Sequence, residues 1–280
     1  MTDKRVLTIQ DISCLGQCSL TVALPIISAC GVETIILPSA VLSTHTGGFT
    51  GYTFRDLTED IPGIMNHWIN EKQSFDCIYT GYLGSITQID YVGDLIDNVL
   101  NEGAVKIIDP VMGDNGRFYS GFNEEFLKNM AGLCGKGDVV LPNITEASFM
   151  TGLPYRAEGH DEEYIMSLLQ GIKKLGTKKV ILKGISYEKG KIGVAVYDCI
   201  SDDLKYYFTE KIERNSHGAG DCYAAAFTGA FMQGFDEYEA AKIAADFVVE
   251  SIKKSVGDEN HWYGAKFERA LPNLVNMVNK

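Results

Sequence analysis

Eight short apolar runs punctuate this chain: Val6–Ile9, Thr34–Leu37, Cys77–Thr80, Val105–Ile108, Val139–Leu141, Val180–Leu182, Gly193–Val196 and Tyr206–Thr209. Several are unbroken β-branched or aliphatic stretches, the pattern of strands buried on both faces. Helical patterns fall between them, over Leu20–Ala29, Ile61–Asn70, Ile89–Asn101, Glu124–Met130 and Glu163–Leu175, and two long ones follow Asp221. Strand alternating with helix predicts an α/β layered fold around a mostly parallel central sheet with flanking helices. Ile192 to Ile212 holds two strand runs and no helix, which predicts an antiparallel edge hairpin. No repeat or linker interrupts the pattern, so a single domain over residues 1–280 is expected.

Ligands of open α/β sheets sit beyond the carboxyl ends of the strands, so the strand ends carry the chemistry. Val105–Ile108 runs into Asp109-Pro110-Val111-Met112-Gly113-Asp114. Two acids five apart in a glycine-bearing loop can hold a hard cation, or can bond their own backbone in a polar turn. Val139–Leu141 runs into Pro142-Asn143-Ile144-Thr145-Glu146. Here Glu146 is either an early-helix acid or a second cation ligand, and capping accounts equally for Asn143 and Glu146. Val180–Leu182 ends in Lys183-Gly184, a cation at the same edge or a solvated loop lysine.

The segment Asn215-Ser216-His217-Gly218-Ala219-Gly220-Asp221-Cys222 leads into a helix-like run. Such a junction offers unpaired amides and the positive end of a helix dipole, with the Asp221 carboxylate beside them. That pairing suits phosphoryl transfer to a hydroxyl: a carboxylate takes the proton and amides stabilise the transferring group. A tight turn with Asp221 as an ordinary cap is the alternative. Cys222, before Ala224–Ala226, reads as a small core residue, and His217 as a loop histidine with a local hydrogen bond. His45, next to Thr46, is a candidate for lining a pocket. The glycine-punctuated aromatic loop 115–123 is expected either to close over the site or to be a static surface loop.

The net charge of −12 argues against nucleic-acid or anionic-membrane surfaces and requires local groups or a divalent cation to meet any phosphate. Seven cysteines without CxxC spacing read as reduced thiols. The absence of a membrane-length apolar run, and an N-terminus leading directly into a strand, point to the cytoplasm.

Gly218-Ala219-Gly220-Asp221, Asp109-Pro110-Val111-Met112-Gly113-Asp114 and Asn143-Ile144-Thr145-Glu146, in that family's order, resemble the ribokinase-like superfamily of small-molecule kinases. Thr8-Ile9-Gln10, Ser43-Thr44-His45-Thr46-Gly47 and Thr80-Gly81-Tyr82-Leu83-Gly84-Ser85 narrow the resemblance to the pyridoxal/pyridoxine/pyridoxamine kinases, over residues 6 to about 250. The resemblance implies a three-layer ribokinase-like fold and ATP-dependent phosphorylation of a hydroxymethyl group.

Position by position, the resemblance makes Asp221 the catalytic base and the amides of Gly218, Ala219 and Gly220 the anion hole. Asp109, Asp114 and Glu146 match the acids that organise Mg²⁺ and the ATP phosphates, with Asn143 beside them and Lys183 near the nucleotide. Thr46 and Tyr82 match substrate-lining positions. Asp11 stands where well-known members carry a serine facing the pyridine ring; a carboxylate there suits a protonated nitrogen or an amine and repels a phenolate. The family's monovalent cation is a further expectation, although Leu141 replaces the threonine that often precedes Pro-Asn. A homodimer is expected from the family. Two other readings stand beside this one: a hydroxymethylpyrimidine kinase of thiamine synthesis, and a non-catalytic nucleotide or pyridoxal-phosphate binding protein. Many kinases of the former kind carry a Ser-Gly-Gly-Ala-Gly-like segment where this chain reads Asp11-Ile12-Ser13-Cys14-Leu15-Gly16-Gln17.

Overall fold

The computed structural model describes residues 4–214 and 216–279. Asn215, which opens the glycine-rich segment, lies outside the described residues, as do Met1 to Asp3 of the N-terminal stretch. Chain order runs β1 (Arg5–Leu15), α1 (Leu20–Ala29), β2 (Glu33–Thr44), β3 (Phe54–Asp56), α2 (Ile61–Asn70), β4 (Phe75–Thr80), α3 (Ile86–Val99) and β5 (Leu100–Ile108). It continues through β6 (Gly113–Asp114), β7 (Arg117–Phe118), α4 (Glu124–Lys136), β8 (Val139–Val140), α5 (Ile144–Thr151) and α6 (Glu162–Lys173). The last third holds β9 (Lys179–Ile185), β10 (Lys191–Asp198), β11 (Leu204–Glu210), α7 (Ala219–Met232), α8 (Glu237–Lys253) and α9 (Leu271–Val278).

Nine strands form one sheet in the order β11-β10-β9-β8-β5-β4-β1-β2-β3. The six central strands from β9 to β2 pair in parallel. At one edge β9, β10 and β11 run antiparallel, with the hairpin expected from Ile192–Ile212. The other edge carries β3, antiparallel to β2 and only three residues long, with no apolar run to announce it. A small β6–β7 hairpin stands apart from the sheet, inside the loop after β5.

The unbroken apolar runs have a direct cause. Neighbouring residues of a strand face opposite sides, and each side of this sheet is covered. Val6, Cys77, Tyr79, Ile107, Val139 and Ile181 pack with α1, α7, α8 and α9. Leu7, Ile78, Ile108, Val140, Val180 and Leu182 pack with α2 to α6. Helix α7 approaches α1 closely because its buried face is Ala224, Ala225, Ala226 and Gly229; a Cβ on Gly229 would lie 2.5 Å from Cys30 Sγ. Cys222 is fully buried in the same layer, as its alanine neighbours predict. Helix α8 buries Ala240, Ala241, Ala244 and Phe247 against that layer and turns its charged side outward.

Candidate active site

The carboxyl ends of the parallel strands are tied into one ledge by backbone bonds. The Gly81 N–H donates to Ile9 O at 3.0 Å, and that of Asp109 to Thr80 O at 3.1 Å. The Leu141 N–H donates to Ile108 O at 3.0 Å, and that of Lys183 to Pro142 O at 2.8 Å. This ladder brings together side chains separated by more than a hundred residues. Lys183 Nζ reaches Asp109 Oδ2 at 2.8 Å, and both side chains are largely buried. The other oxygen, Asp109 Oδ1, is buried without a partner. Burial raises the Asp109 carboxyl above the usual range, and the Lys183 ammonium draws it back.

Glu146 is committed to backbone. Its Oε2 accepts from the Asn143 N–H at 2.9 Å and its Oε1 from the Met112 N–H at 3.2 Å. Asn143 Oδ1 accepts from the Glu146 N–H at 2.8 Å, completing a capping box at the start of α5, and Asn143 Nδ2 donates to Gly113 O at 2.9 Å. Burial, then the charge of Asp109, pushes the Glu146 carboxyl up to about 8. Asp114 is exposed and accepts from the N–H and Nδ2 of its neighbour Asn115. The three acids grouped as cation ligands therefore do not assemble by themselves. Among the described residues no set of three acidic, histidine or cysteine side chains is placed to hold a metal ion. The capping box and the Asp114 turn, both open alternatives in the sequence, are what those residues form.

Asp221 sits in the first turn of α7, whose cap, Gly218, has φ 72°. A Cβ on Gly218 would lie 1.5 Å from Gln17 O, so only glycine permits the contact between this turn and the loop after β1. That loop reaches back to the acid: the Ser19 N–H donates to Asp221 Oδ2 at 3.0 Å. The N–H groups of Gly218, Gly220 and Asp221 donate to no group among the described residues, whereas that of Ala219 makes a long 3.4 Å bond to Ser216 O. Among the described residues, the amides of Gly218, Gly220 and Asp221 are thus without an acceptor, while that of Ala219, one of the three expected donors, is engaged by a long bond. The reason is the turn itself, which closes on Ser216 before the helix begins. Burial, opposed by the Ser19 amide and reinforced by the charges of Asp109 and Asp11, pushes the Asp221 carboxyl up to about 7.

On the other side of the groove, Asp11 is 5 % exposed and accepts from Ser13 Oγ at 2.8 Å. Tyr82 follows β4, and burial, then Asp11 and other nearby charges, pushes its phenol up to about 12. The Tyr82 ring meets Phe122 at 5.5 Å between centroids, and Phe122 stacks on Phe126 at 3.9 Å. Loop 115–123 therefore packs onto Tyr82 through Phe122. Its β6–β7 hairpin is pinned where the Gly116 N–H donates to Thr145 Oγ1 at 3.0 Å. Tyr119 of the same loop is exposed at its surface, yet partial desolvation and then the charges of Glu146, Asp114, Asp221 and Asp109 raise its phenol.

Thr46 is exposed, and no hydrogen bond of its side chain occurs among the described residues. His45 behaves differently from a pocket-lining residue. It is 4 % exposed, its Nδ1 accepts from the Gly47 N–H at 3.1 Å, and its Nε2 then donates to Tyr263 O at 2.8 Å. With both nitrogens engaged by the chain, His45 pins the 45–49 turn to the C-terminal segment. Phe49 and Trp262 continue that seam with centroids 4.6 Å apart. His217 belongs to the seam too, 5.1 Å from His45. Ser19 and Trp262 carried no motif that could have marked them, whereas Phe122 lies in the aromatic loop singled out from the sequence.

A profile described as phosphomethylpyrimidine kinase matches residues 26–264. The chain belongs to that kinase family. A Bacteroides thetaiotaomicron protein provisionally assigned as a phosphomethylpyrimidine kinase is 34% identical and superimposes with a TM-score of 0.93, covering 98% of this chain and 94% of its own. Another crystal form of it contains pyridoxal and aligns with a TM-score of 0.92. Pyridoxal kinase from Lactobacillus plantarum is 26% identical with a TM-score of 0.89, covering 98% and 97% of the two chains. A pyridoxal kinase of Aliivibrio fischeri is 25% identical over 260 residues, 88% of this chain and 89% of its own. The fold of this kinase is thus ribokinase-like, and its residues of interest gather along the ledge of strand ends. A separate cavity of about 470 Å³ lies at the opposite, amino edge of the sheet. Its lysines, Lys106, Lys178 and Lys179, are each paired with a carboxylate, so it holds no free charge for a phosphate.

Proposed function

We propose that this kinase transfers the γ-phosphoryl group of ATP to the 5'-hydroxymethyl group of pyridoxal, pyridoxine or pyridoxamine. The observation that carries the reading is the pairing of the Asp221 carboxylate with amides at the start of α7 that have no acceptor among the described residues. The relatives named as pyridoxal kinases support the substrate class. In this reading Asp221 accepts the hydroxyl proton and the amides of Gly218, Gly220 and Asp221 receive the transferring group. Lys183 lies close to the phosphates, and Thr46 and Tyr82 bound the ring. Phe122 and loop 115–123 limit water access, which guards ATP against hydrolysis.

Mg²⁺ fits the residues present. Asp109 offers a buried oxygen without a partner, and a hard cation of this kind takes one or two carboxylates and completes its shell with phosphate oxygens and water. Asp109 would hold it with Glu146 and Asp114 nearby, and when bound it would neutralise charge on the phosphate oxygens. Residues 1–280 act as one domain in this reading. The resemblance extends it to a cytoplasmic homodimer, and no helix among the described residues is long and apolar enough to cross a membrane.

The family profile itself favours a second reading, hydroxymethylpyrimidine as acceptor. A coupled assay of ADP release with the three vitamers and hydroxymethylpyrimidine tests both. Turnover of at least one vitamer is expected; turnover of the pyrimidine alone would overturn the vitamer assignment, and no turnover at all would favour a binding protein.

A further inference from the structure

Asp11 is a buried carboxylate that the phosphoryl-transfer chemistry leaves unused. It follows Ile9, the last residue of β1 to pair with β4, so it stands where β1 runs on past the ledge. Its Oδ2 accepts from Ser13 Oγ, and its Oδ1 accepts no hydrogen bond among the described residues. No lysine, arginine or histidine forms an ion pair with it there. Lys183 is held by Asp109. His45 is engaged at both ring nitrogens, by the Gly47 N–H and the Tyr263 carbonyl, and acts on Asp11 only through space. The hydroxyls of Ser13 and Ser19 and the N–H of Asp11 itself are the donors beside the carboxyl. Ser19 connects the two acids of the groove: its N–H donates to Asp221, and its hydroxyl lies by Asp11.

A buried carboxylate without a cationic partner is costly until something supplies one. The groove's occupant is the remaining source. Because Ser19 bonds Asp221 through its amide and sits beside Asp11 through its hydroxyl, the group that Asp11 meets is close to the reacting hydroxymethyl. Pyridoxamine carries an aminomethyl group on the ring carbon next to the hydroxymethyl. Hydroxymethylpyrimidine carries an exocyclic amine at the equivalent place. Pyridoxine has an alcohol there and pyridoxal an aldehyde.

Resting on the kinase reading above, we propose that Asp11 is a specificity determinant that selects hydroxymethyl heteroaromatics bearing an amine on the neighbouring ring carbon. The amine donates to Asp11 Oδ1 while Asp221 faces the hydroxyl. Amine-bearing acceptors are therefore preferred over pyridoxine and pyridoxal, and Asp11 is the cause. A site built around a substrate N–H rejects analogues lacking it, because its own polar group is then left unpaired.

The test compares wild type with Asp11→Ser and the near-isosteric Asp11→Asn, using pyridoxamine, pyridoxine, pyridoxal and hydroxymethylpyrimidine. Wild type should favour pyridoxamine over pyridoxine in kcat/KM by roughly tenfold to a hundredfold, and Asp11→Ser should erase most of that ratio through KM. Hydroxymethylpyrimidine distinguishes the source of the amine: turnover of it alongside pyridoxamine marks a shared subsite, and turnover of pyridoxamine alone confines the preference to the vitamer. The unligated variants should melt at a higher temperature than wild type, since a buried charge is removed, which also shows that they fold. A pyridoxamine-to-pyridoxine ratio near one in wild type, or one unchanged in both variants, overturns the proposal. Calorimetric Kd values separate it from the kinase reading. Absence of turnover on every acceptor overturns that reading, whereas an amine preference in Kd that Asp11→Ser abolishes still upholds the role of Asp11.

Discussion

The backbone amide of Ser19 donates to Asp221 Oδ2 at 3.0 Å across 202 residues of sequence. Ser19 does so from φ 56° and ψ −134°, a conformation that costs a non-glycine residue about 1–3 kcal/mol. The strain is offset by what it positions: a donor aimed at the one acid that stands beside the free amides of α7.

Replacing Ser19 by proline removes that donor and forbids the positive φ, whereas glycine keeps the donor and relieves the strain. Ser19→Gly should retain kcat/KM within about threefold, and Ser19→Pro should lose tenfold or more, since one charge-assisted hydrogen bond is about 1.5–3 kcal/mol. Steady-state kinetics on both variants checks this, and equal activities would remove Ser19 from the positioning of Asp221.

Asp221 has its carboxyl raised to about 7, so the free enzyme gains its base as pH rises. The profile of kcat/KM should climb through pH about 7. Asp221→Ala should cut kcat by about two orders of magnitude or more and leave ATP affinity nearly intact. A flat profile from pH 6 to 8, or an unchanged kcat, would exclude Asp221 as the base.

Stability should move the other way. Acids raised in the folded state, Glu146 to about 8 and Asp221 to about 7, favour the fold fully below their unfolded values near 4. That contribution is lost as pH rises through the folded values. The unligated protein should therefore melt at a lower temperature at pH 8.5 than at pH 6, and Glu146→Gln should flatten the difference. Thermal melts across that range decide it.

Lys183→Ala leaves the buried Asp109 without its ammonium and should destabilise by about 3 kcal/mol near neutral pH. The loss should shrink as pH falls and Asp109 takes a proton, and adding Asp109→Asn should restore much of it. Denaturant titration of wild type and the two variants measures each step.

Asn143→Ala removes a cap from α5 and the donor to Gly113 O, with an expected loss of about 1–2 kcal/mol. A shift in the denaturation midpoint with unchanged slope is the signature to look for.

The unbroken runs at Val139–Leu141 and Val180–Leu182 announced a sheet covered on both faces, and helices at Leu20–Ala29 and Ile61–Asn70 have the bounds their periodicity predicts. Strand β3 was illegible because its three exposed residues bury nothing and so leave no apolar trace. His45 sat in a motif, yet its two ring nitrogens are taken by Gly47 and Tyr263. The bonds of two proposed cation acids were hidden for a similar reason: Glu146 and Asp114 accept from backbone amides nearby, and no spacing rule records which donor a carboxylate will meet.

By itself the sequence determined the layers, the strand ends and the residue types that gather there, because burial on two faces and the geometry of a helix start are local matters written in periodicity and glycine placement. Only the tertiary structure decided how those types pair. Asp109 met Lys183, Ser19 met Asp221, and Asp11 met no ion-pair partner among the described residues, since each outcome depends on loops converging from distant parts of the chain under the competition between desolvation and the few donors within reach.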